Sequence, residues 1–241
     1  MGISEIHNCD CMEYMRTISD KFFDLAIVDP PYGIGVDDFK MGSNNGYIST
    51  AQQLKKKNRL NSGGGKLKNR LLNNSDASWD VAPTKEYFDE LFRISKNQII
   101  WGGNYFDLPP TRGIICWDKM QPWDNFSQVE LAWTSYDKPA KLFKYSTTGG
   151  ANAEKKIHPT QKPTALYSWL LKTYANAGDK ILDTHLGSGS SRIAAYKLGF
   201  DFYSCELNKD YFEAQEERFR KVCLGETKTK RGILVQKSLF E

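Results

Sequence analysis

The sequence contains no run of about 18 apolar residues, the length that a membrane-spanning helix needs. Its first residues, Met1–Asp10, have neither the basic nor the apolar region of a secretion signal. Five cysteines occur without any CxxC pair, and the fragment Cys9-Asp10-Cys11 has no second half with which to complete a zinc site. We therefore expect a soluble cytoplasmic protein with reduced thiols, no metal and no membrane contact.

Two familiar phosphate-binding patterns are incomplete. The run from Ser62 to Lys66 lacks the first glycine and the final Ser/Thr of a P-loop, and the turn Gly187-Ser188-Gly189 lacks the full GxGxxG spacing. We therefore reject a phosphate-binding loop at Ser62–Lys66. A nicotinamide oxidoreductase stays open as an alternative, although it leaves the tetrapeptide described below unexplained.

Acidic residues are absent between Asp38 and Asp76, although the chain as a whole carries a formal charge of only +4. Residues 34–78 are rich in Asn, Ser, Gly and Lys and show no sustained periodicity, so we expect a mobile insertion. Its one-sided charge favours binding to a polyanion. The basic residues expected to bind it are Lys55, Lys56, Lys57, Arg59, Lys66, Lys68 and Arg70.

The tetrapeptide Asp29-Pro30-Pro31-Tyr32 follows the apolar run Leu25–Val28. Two prolines end a buried strand because neither has a backbone N–H for the ladder. Asp29 and the Pro30 carbonyl then form a rigid pair of acceptors beside an aromatic ring. A flat substrate with an exocyclic NH2 group can donate to both acceptors and stack on Tyr32. A plain strand-to-loop turn is the simpler alternative for these residues taken alone.

A second unit, strand–turn–helix–strand, occupies Lys180 to Glu206. Gly187 and Gly189 lie between the strand Lys180–Asp183 and the following helix, where they permit close approach of a ligand. Glu206 ends the next strand, at the position from which an acid accepts hydrogen bonds from ribose hydroxyls. This pattern is typical of a nucleoside-binding unit.

The length and the strand pattern predict a single α/β domain spanning residues 1–241. The short strands Gly113–Trp117 and Val129–Thr134 have no helix between them, which indicates an antiparallel hairpin at one edge of the sheet. Asp10 and Asp29 each follow a strand. If those strands are parallel neighbours, both carboxylates lie at one sheet edge.

Three motifs in this order resemble the DNA amino-methyltransferases of the permuted beta class. They are the corner Asp29–Tyr32, the segment His158-Pro159-Thr160-Gln161-Lys162-Pro163, and the turn Asp183–Ser190. The resemblance covers Ile6 to Arg218. It implies a Rossmann-like S-adenosylmethionine-dependent methyltransferase fold with a mixed seven-stranded sheet. It also implies a location in the cytoplasm of a bacterium or of a phage-infected bacterial cell.

The same resemblance implies a role for each motif. Asp10 is expected at the adenine end of the cofactor, Glu206 at its ribose, and Lys162 beside its methionine carboxylate. Asp29, Pro30, Pro31 and Tyr32 become the catalytic residues, acting on a base flipped out of double-stranded DNA. The full set expected to bind the cofactor is Asp10, Cys11, Asp29, Lys162, Asp183, His185, Gly187, Ser188, Gly189, Ser190, Glu206 and Leu207.

Within this family an aspartate at the first corner position favours adenine N6, and a serine favours cytosine N4. We therefore predict a site-specific N6-adenine methyltransferase of the restriction-modification type, with N4-cytosine methylation as the alternative. Carbon-5 methylation needs a Pro-Cys nucleophile, and no cysteine here follows a proline. A catalytically inactive nucleic-acid binding module is a further alternative, although the corner and the glycine turn are both intact.

This chain departs from the family pattern in several places. Thr184-His185 stands where members often have Pro-Phe, and the segment for target recognition, about 135–157, is short. Family members are often dimers, so a homodimer is a possible assembly. In the tail, 225–241, residues 236–240 resemble peptides that dock on bacterial sliding clamps, although an edge strand or packed tail using Ile233, Val235 and Leu239 is the simpler interpretation.

Overall fold

The structure is a computed structural model that describes residues 2–34, 80–121, 127–146, 154–229 and 232–235. Within those residues no helix is both long enough and apolar enough to cross a membrane. The seven basic residues predicted to bind a polyanion, Lys55, Lys56, Lys57, Arg59, Lys66, Lys68 and Arg70, lie outside this part of the chain. So do residues 236–240, which carry the predicted clamp contact.

An eight-stranded mixed sheet forms the centre of the described chain, in the order β1-β8-β7-β2-β3-β5-β4-β6. The five strands from β1 to β3 in that order are parallel, and β5 is antiparallel to both β3 and β4. The strands are β1 Ser4–His7, β2 Phe23–Val28, β3 Ser95–Trp101, β4 Ile114–Asp118, β5 Val129–Thr134, β6 Lys141–Lys144, β7 Lys180–Asp183 and β8 Asp201–Cys205.

In the described part of the chain, five α-helices accompany the sheet: α1 Cys11–Arg16, α2 Lys85–Ile94, α3 Thr164–Tyr174, α4 Ser190–Leu198 and α5 Lys209–Cys223. Strand β2 has apolar side chains on both faces, as expected for a strand inside a parallel sheet. Leu25 and Ile27 pack in one core cluster with residues of α3 and α4, while Ala26 and Val28 pack in another with residues of α1 and α2. The end of β2 is therefore fixed from both sides.

The observed sheet differs from the expected one in three details. The sheet has eight strands and not seven, because Lys141–Lys144 adds β6 in parallel to β4. The predicted hairpin of β4 and β5 forms, but β6 covers its outer side. The strands that precede Asp10 and Asp29 are parallel but are not neighbours, since β8 and β7 lie between them.

Near the C-terminus, β9 Glu226–Thr229 and β10 Gly232–Val235 form a separate antiparallel pair. Ile233 and Val235 lie in this second strand, in agreement with the edge-strand interpretation, and both are more than half exposed. The strand uses them for backbone pairing and buries little of their apolar surface.

Candidate active site

A cavity of about 420 Å³ lies at the carboxyl ends of β1, β8, β7 and β2. This is the edge at which open parallel sheets bind ligands, because strand ends and helix starts leave polar groups there. The cavity is lined by Cys9, Asp10, Cys11, Asp29, Pro30, Pro31, Tyr32, Asp80, Glu130, His158, Thr160, Gln161, Lys162, Tyr167, Thr184, His185, Leu186, Gly187, Ser188, Glu206, Leu207, Asn208 and Tyr211.

All four predicted catalytic residues, Asp29 to Tyr32, line this cavity. The hydroxyl of Tyr32 donates a hydrogen bond of 2.7 Å to Oδ1 of Asp29. The ammonium of Lys162 lies 2.5 Å from Oδ2 of the same carboxylate. Each oxygen of Asp29 is thus already engaged by one donor, and the carboxylate is held in a fixed orientation.

Lys162 lies against the corner and is also bonded to a residue from the hairpin. Its Nζ is 3.2 Å from Oε2 of Glu130, whose Oε1 is 2.5 Å from Nζ of Lys119. Burial opposes the charge of Lys162, but the carboxylates of Asp29 and Glu130 outweigh it and raise the pKa of Lys162. The ammonium therefore stays protonated inside the cavity wall.

The Tyr32 ring is fixed by two neighbours that the sequence did not suggest. Tyr105 stacks on it with ring centroids 5.1 Å apart and planes 22° apart. The backbone of Gly102 also approaches so closely that an added Cβ would lie 2.3 Å from a Tyr32 ring carbon. Burial and the nearby Asp29 charge hold the pKa of Tyr32 well above its usual value, so the phenol stays neutral.

On the cofactor side, Glu206 connects two turns. Its Oε2 accepts the backbone N–H of Gly187 at 2.7 Å, and its Oε1 accepts that of Asn208 at 2.9 Å. Burial raises the pKa of Glu206, although both backbone donors partly oppose the shift. Each carboxylate oxygen retains a second lone pair with which to accept a hydroxyl donor.

Asp183, in contrast, lies behind the cavity wall. It is 1% exposed, its Oδ2 accepts the Ser191 hydroxyl at 2.5 Å, and its Oδ1 accepts the His185 N–H at 3.0 Å. Burial raises the pKa of Asp183 to about 7 against these two hydrogen bonds. Through these two hydrogen bonds Asp183 stabilises the turn between β7 and α4, and it does not line the cavity. Gly189 and Ser190, also predicted at the cofactor, likewise do not line the cavity.

The other predicted cofactor residues, Asp10, Cys11, His185, Ser188 and Leu207, do line the cavity. Oδ1 of Asp10 caps α1 by accepting the N–H groups of Met12 and Glu13, so this carboxylate also has a structural task. Burial lowers the pKa of His185 to about 4, which makes the imidazole that replaces the family's phenylalanine a neutral ring.

Several lining residues were missed by sequence reasoning, among them Glu130, Tyr167 and Tyr211, whereas His158 belongs to a motif quoted above but received no role. The rings of His158 and Tyr211 pack 4.3 Å apart. Only Glu130 carried a local signal, since it is an acid inside the mostly apolar strand β5. Across the described ranges no group of three or more His, Cys, Asp or Glu residues is arranged to hold a metal ion.

The mixed sheet, with a cavity at the carboxyl ends of its parallel strands, has the fold of S-adenosylmethionine-dependent methyltransferases. A family model described as DNA methylase, covering N6 and N4 methyltransferases, matches residues 50–217. That match spans more than half of the chain. The chain therefore belongs to the N6/N4 DNA methylase family, a family of S-adenosylmethionine-dependent enzymes.

Three type II methyltransferases are similar in sequence. M1.MboII of Moraxella bovis is 23% identical over 88% of this chain and 94% of its own length, and M.HinfI of Haemophilus influenzae is 24% identical over 88% and 67%. M.HpaI of Haemophilus parainfluenzae is 35% identical over 80 residues, which are 33% of this chain and 26% of that relative.

Two solved structures are similar in fold. M1.HpyAVI in complex with SAM aligns with a TM-score of 0.50 and 19% identity, covering 90% of this chain and 98% of that one. PvuII DNA methyltransferase, described as cytosine-N4-specific, aligns with a TM-score of 0.54 and 13% identity, covering 91% and 87%. At these identities the likeness establishes the fold alone.

Proposed function

We propose that this protein methylates the exocyclic N6 amine of adenine in double-stranded DNA after flipping the base out of the helix. The observation that carries the proposal is the Asp29 carboxylate, which lies in the cavity wall beside Pro30 with both oxygens oriented by Tyr32 and Lys162. An aromatic amine is a poor nucleophile because its lone pair is delocalised into the ring. Acceptors placed at its two protons favour the geometry that releases that lone pair.

The residues of the cavity fit the cofactor. The volume of about 420 Å³ lies within the usual range for small-molecule sites. Glu206 offers a carboxylate to the ribose hydroxyls, Asp10 and Cys11 lie at the end assigned to adenine, and the turn Gly187-Ser188 borders the remainder. When bound, S-adenosylmethionine supplies an activated methyl group on its sulfonium sulfur.

Asp29 and the Pro30 carbonyl would accept the two amine protons, and Tyr32 would provide the ring on which the flipped base stacks. A base that uses the ring face now covered by Tyr105 has to displace that side chain, which is 49% exposed. Lys162 is neutralised by Asp29 and Glu130, so the cofactor's methionine carboxylate would compete with those two groups for it.

The type II relatives lead us to propose that methylation is specific for a short sequence and belongs to restriction-modification in a bacterial cytoplasm. N4-cytosine methylation is the second candidate, because both amines present the same two protons to the corner. Asp29 at the first position favours adenine.

The base is identified by methylating mixed-sequence duplex DNA with labelled S-adenosylmethionine, digesting the product to nucleosides and separating them. We expect the label in N6-methyl-2′-deoxyadenosine. Label in N4-methyl-2′-deoxycytidine would leave the corner chemistry in place and overturn the adenine assignment.

A further inference from the structure

A row of four alternating charges runs from the β4–β5 hairpin to the catalytic corner. Lys119 contacts Glu130, Glu130 contacts Lys162, and Lys162 contacts Asp29, with N···O distances of 2.5, 3.2 and 2.5 Å. The row is charge-balanced. Lys162 is its most buried member, with its side chain 3% exposed, while the Asp29 and Glu130 side chains are 16% and 24% exposed.

Because Lys162 is buried, its contacts with Asp29 and Glu130 matter for stability. A buried ammonium that loses its partner is costly, because little solvent remains to replace the lost charge. Burial would raise the pKa of Glu130, but the charges of Lys162 and Lys119 outweigh it and lower that pKa. Glu130 therefore stays ionised and offers Lys162 a second anionic partner throughout the neutral pH range.

The arrangement bears on the substrate amine. Oδ2 of Asp29 already accepts Lys162, and Oδ1 already accepts Tyr32. An amine that donates to Asp29 must share one of these oxygens, and sharing Oδ2 weakens the contact between Lys162 and Asp29. Glu130 lies 3.2 Å from the same ammonium and can keep its charge compensated during that exchange.

We propose that Glu130 is a positioning residue, which holds Lys162 so that Asp29 can turn to the amine of the target base. The inference rests on the proposed function, since it assigns Asp29 the amine-accepting role. Glu130 acts through Lys162 and does not itself touch the substrate. It comes from β5, a strand that none of the three family-like motifs of the sequence includes.

The test compares single-turnover methyl transfer by wild type and Glu130→Gln, with saturating cofactor and DNA. The matched control is Glu90→Gln, because Glu90 is also 24% exposed and paired with a cation, Arg93, but does not line the cavity. We expect E130Q to lower the single-turnover rate by about tenfold. E90Q should keep the wild-type rate and bind S-adenosylmethionine within about twofold of wild type, and saturating cofactor removes any effect of E130Q on cofactor binding from its rate.

A second measurement asks whether Glu130 acts through Lys162. Urea unfolding of wild type, E130Q, Lys162→Met and the double variant forms a double-mutant cycle. We expect the double variant to lose less stability than the sum of the losses in the two single variants. Additive losses would overturn the proposal, as would an E130Q rate equal to that of E90Q. If E130Q does not fold, Glu130→Asp compared with Glu90→Asp decides in its place, and equal rates would again overturn it.

These outcomes are distinguishable from failure of the proposed function. A wild-type protein that binds cofactor and duplex DNA but transfers no methyl group to DNA overturns the proposed function, and with it the role of Glu130 in positioning Asp29. An active wild-type enzyme that is indifferent to E130Q overturns the positioning role alone.

Discussion

At the scale of single residues, the corner combines a charge with a rigid aromatic ring. Asp29 is oriented by a phenol and an ammonium, and the Tyr32 ring is wedged between Tyr105 and the backbone of Gly102. Each contact removes freedom from a group that must meet a substrate atom in one geometry. Preorganisation of this kind is the main means by which a site without a nucleophile or a metal accelerates a reaction.

Gly102 provides a test of the ring's placement. Its φ is +68°, and a Cβ there would strike the Tyr32 ring, whereas Gly199 has a φ of +78° with open space around it. Gly102→Ala and Gly199→Ala should each lower the free energy of unfolding by about 1–2 kcal/mol through backbone strain. Only Gly102→Ala should also slow methyl transfer. Methyl-transfer rates and urea unfolding are measured for both variants. Equal methyl-transfer rates would contradict the inference that Gly102 fixes the Tyr32 ring.

The raised pKa of Asp183 predicts that the stability of the protein depends on pH. Its pKa of about 7 in the folded protein exceeds the ordinary value of 3.8, so the folded state holds the proton more tightly than the unfolded chain does. Its contribution to stability is complete below pH 3.8 and is lost as the pH rises to about 7. Asp183→Asn keeps the shape and one acceptor oxygen, while its NH2 group must donate to the Ser191 hydroxyl instead of accepting from it, and it should remove that dependence.

Urea unfolding of wild type and Asp183→Asn between pH 4 and 8 measures the effect as a difference. The comparison cancels the opposite contributions of His158 and His185, whose pKa values are lowered by burial to about 4. The stability of wild type relative to the variant should decline across that range and level off above pH 7. A constant difference would contradict a raised pKa for Asp183.

At the scale of elements, the residue that caps helix α1 contributes both to stability and to the wall of the cofactor cavity. Asp10 caps this helix and lines the cavity, so one side chain serves both purposes. Asp10→Ala should lower the free energy of unfolding by about 1 kcal/mol, whereas Asp10→Asn should retain the cap. If the charge of Asp10 serves the cofactor, Asp10→Asn weakens S-adenosylmethionine binding in calorimetry without lowering stability. Unchanged affinity would leave Asp10 with a capping role only.

The elements also explain which parts of the fold were predictable. Strands β5 and β7 begin and end where the sequence predicted, because each is a short run bounded by turn residues. Strand β6 was missed, since Lys141-Leu142-Phe143-Lys144 is mostly exposed and becomes a strand only by pairing with β4. The alternation that identifies half-buried strands is absent there.

The site was predictable where adjacent residues form a motif. The corner Asp29–Tyr32 and the turn at Gly187 were found in this way, and both line the cavity. The contact between Glu130 and Lys162 was not, because it joins β5 to a loop more than thirty positions later in the chain. Nothing in local spacing specifies that pairing, and the fold alone brings these residues together.

At the scale of the whole molecule, DNA binding should depend strongly on salt. Replacing the seven basic residues predicted to bind DNA, Lys55 to Arg70, with Gln should reduce the slope of log K against log salt by about 0.9 for each phosphate that is no longer neutralised. Cofactor affinity should be unchanged. The control is the triple variant Lys85→Gln, Lys96→Gln and Lys209→Gln, which removes three lysines elsewhere whose side chains are each more than half exposed. Equal slopes for the two variants would contradict the assignment.

The measurement that tests the central claim most directly is transfer of tritium from methyl-labelled S-adenosylmethionine to mixed-sequence duplex DNA. Wild type is compared with Asp29→Ala and with Asp89→Ala, a substitution at an exposed carboxylate paired with Lys85. We predict that wild type and D89A label the DNA, and that folded D29A does not. Unlabelled DNA after incubation with folded wild type, or labelling by D29A at the wild-type rate, would contradict the account.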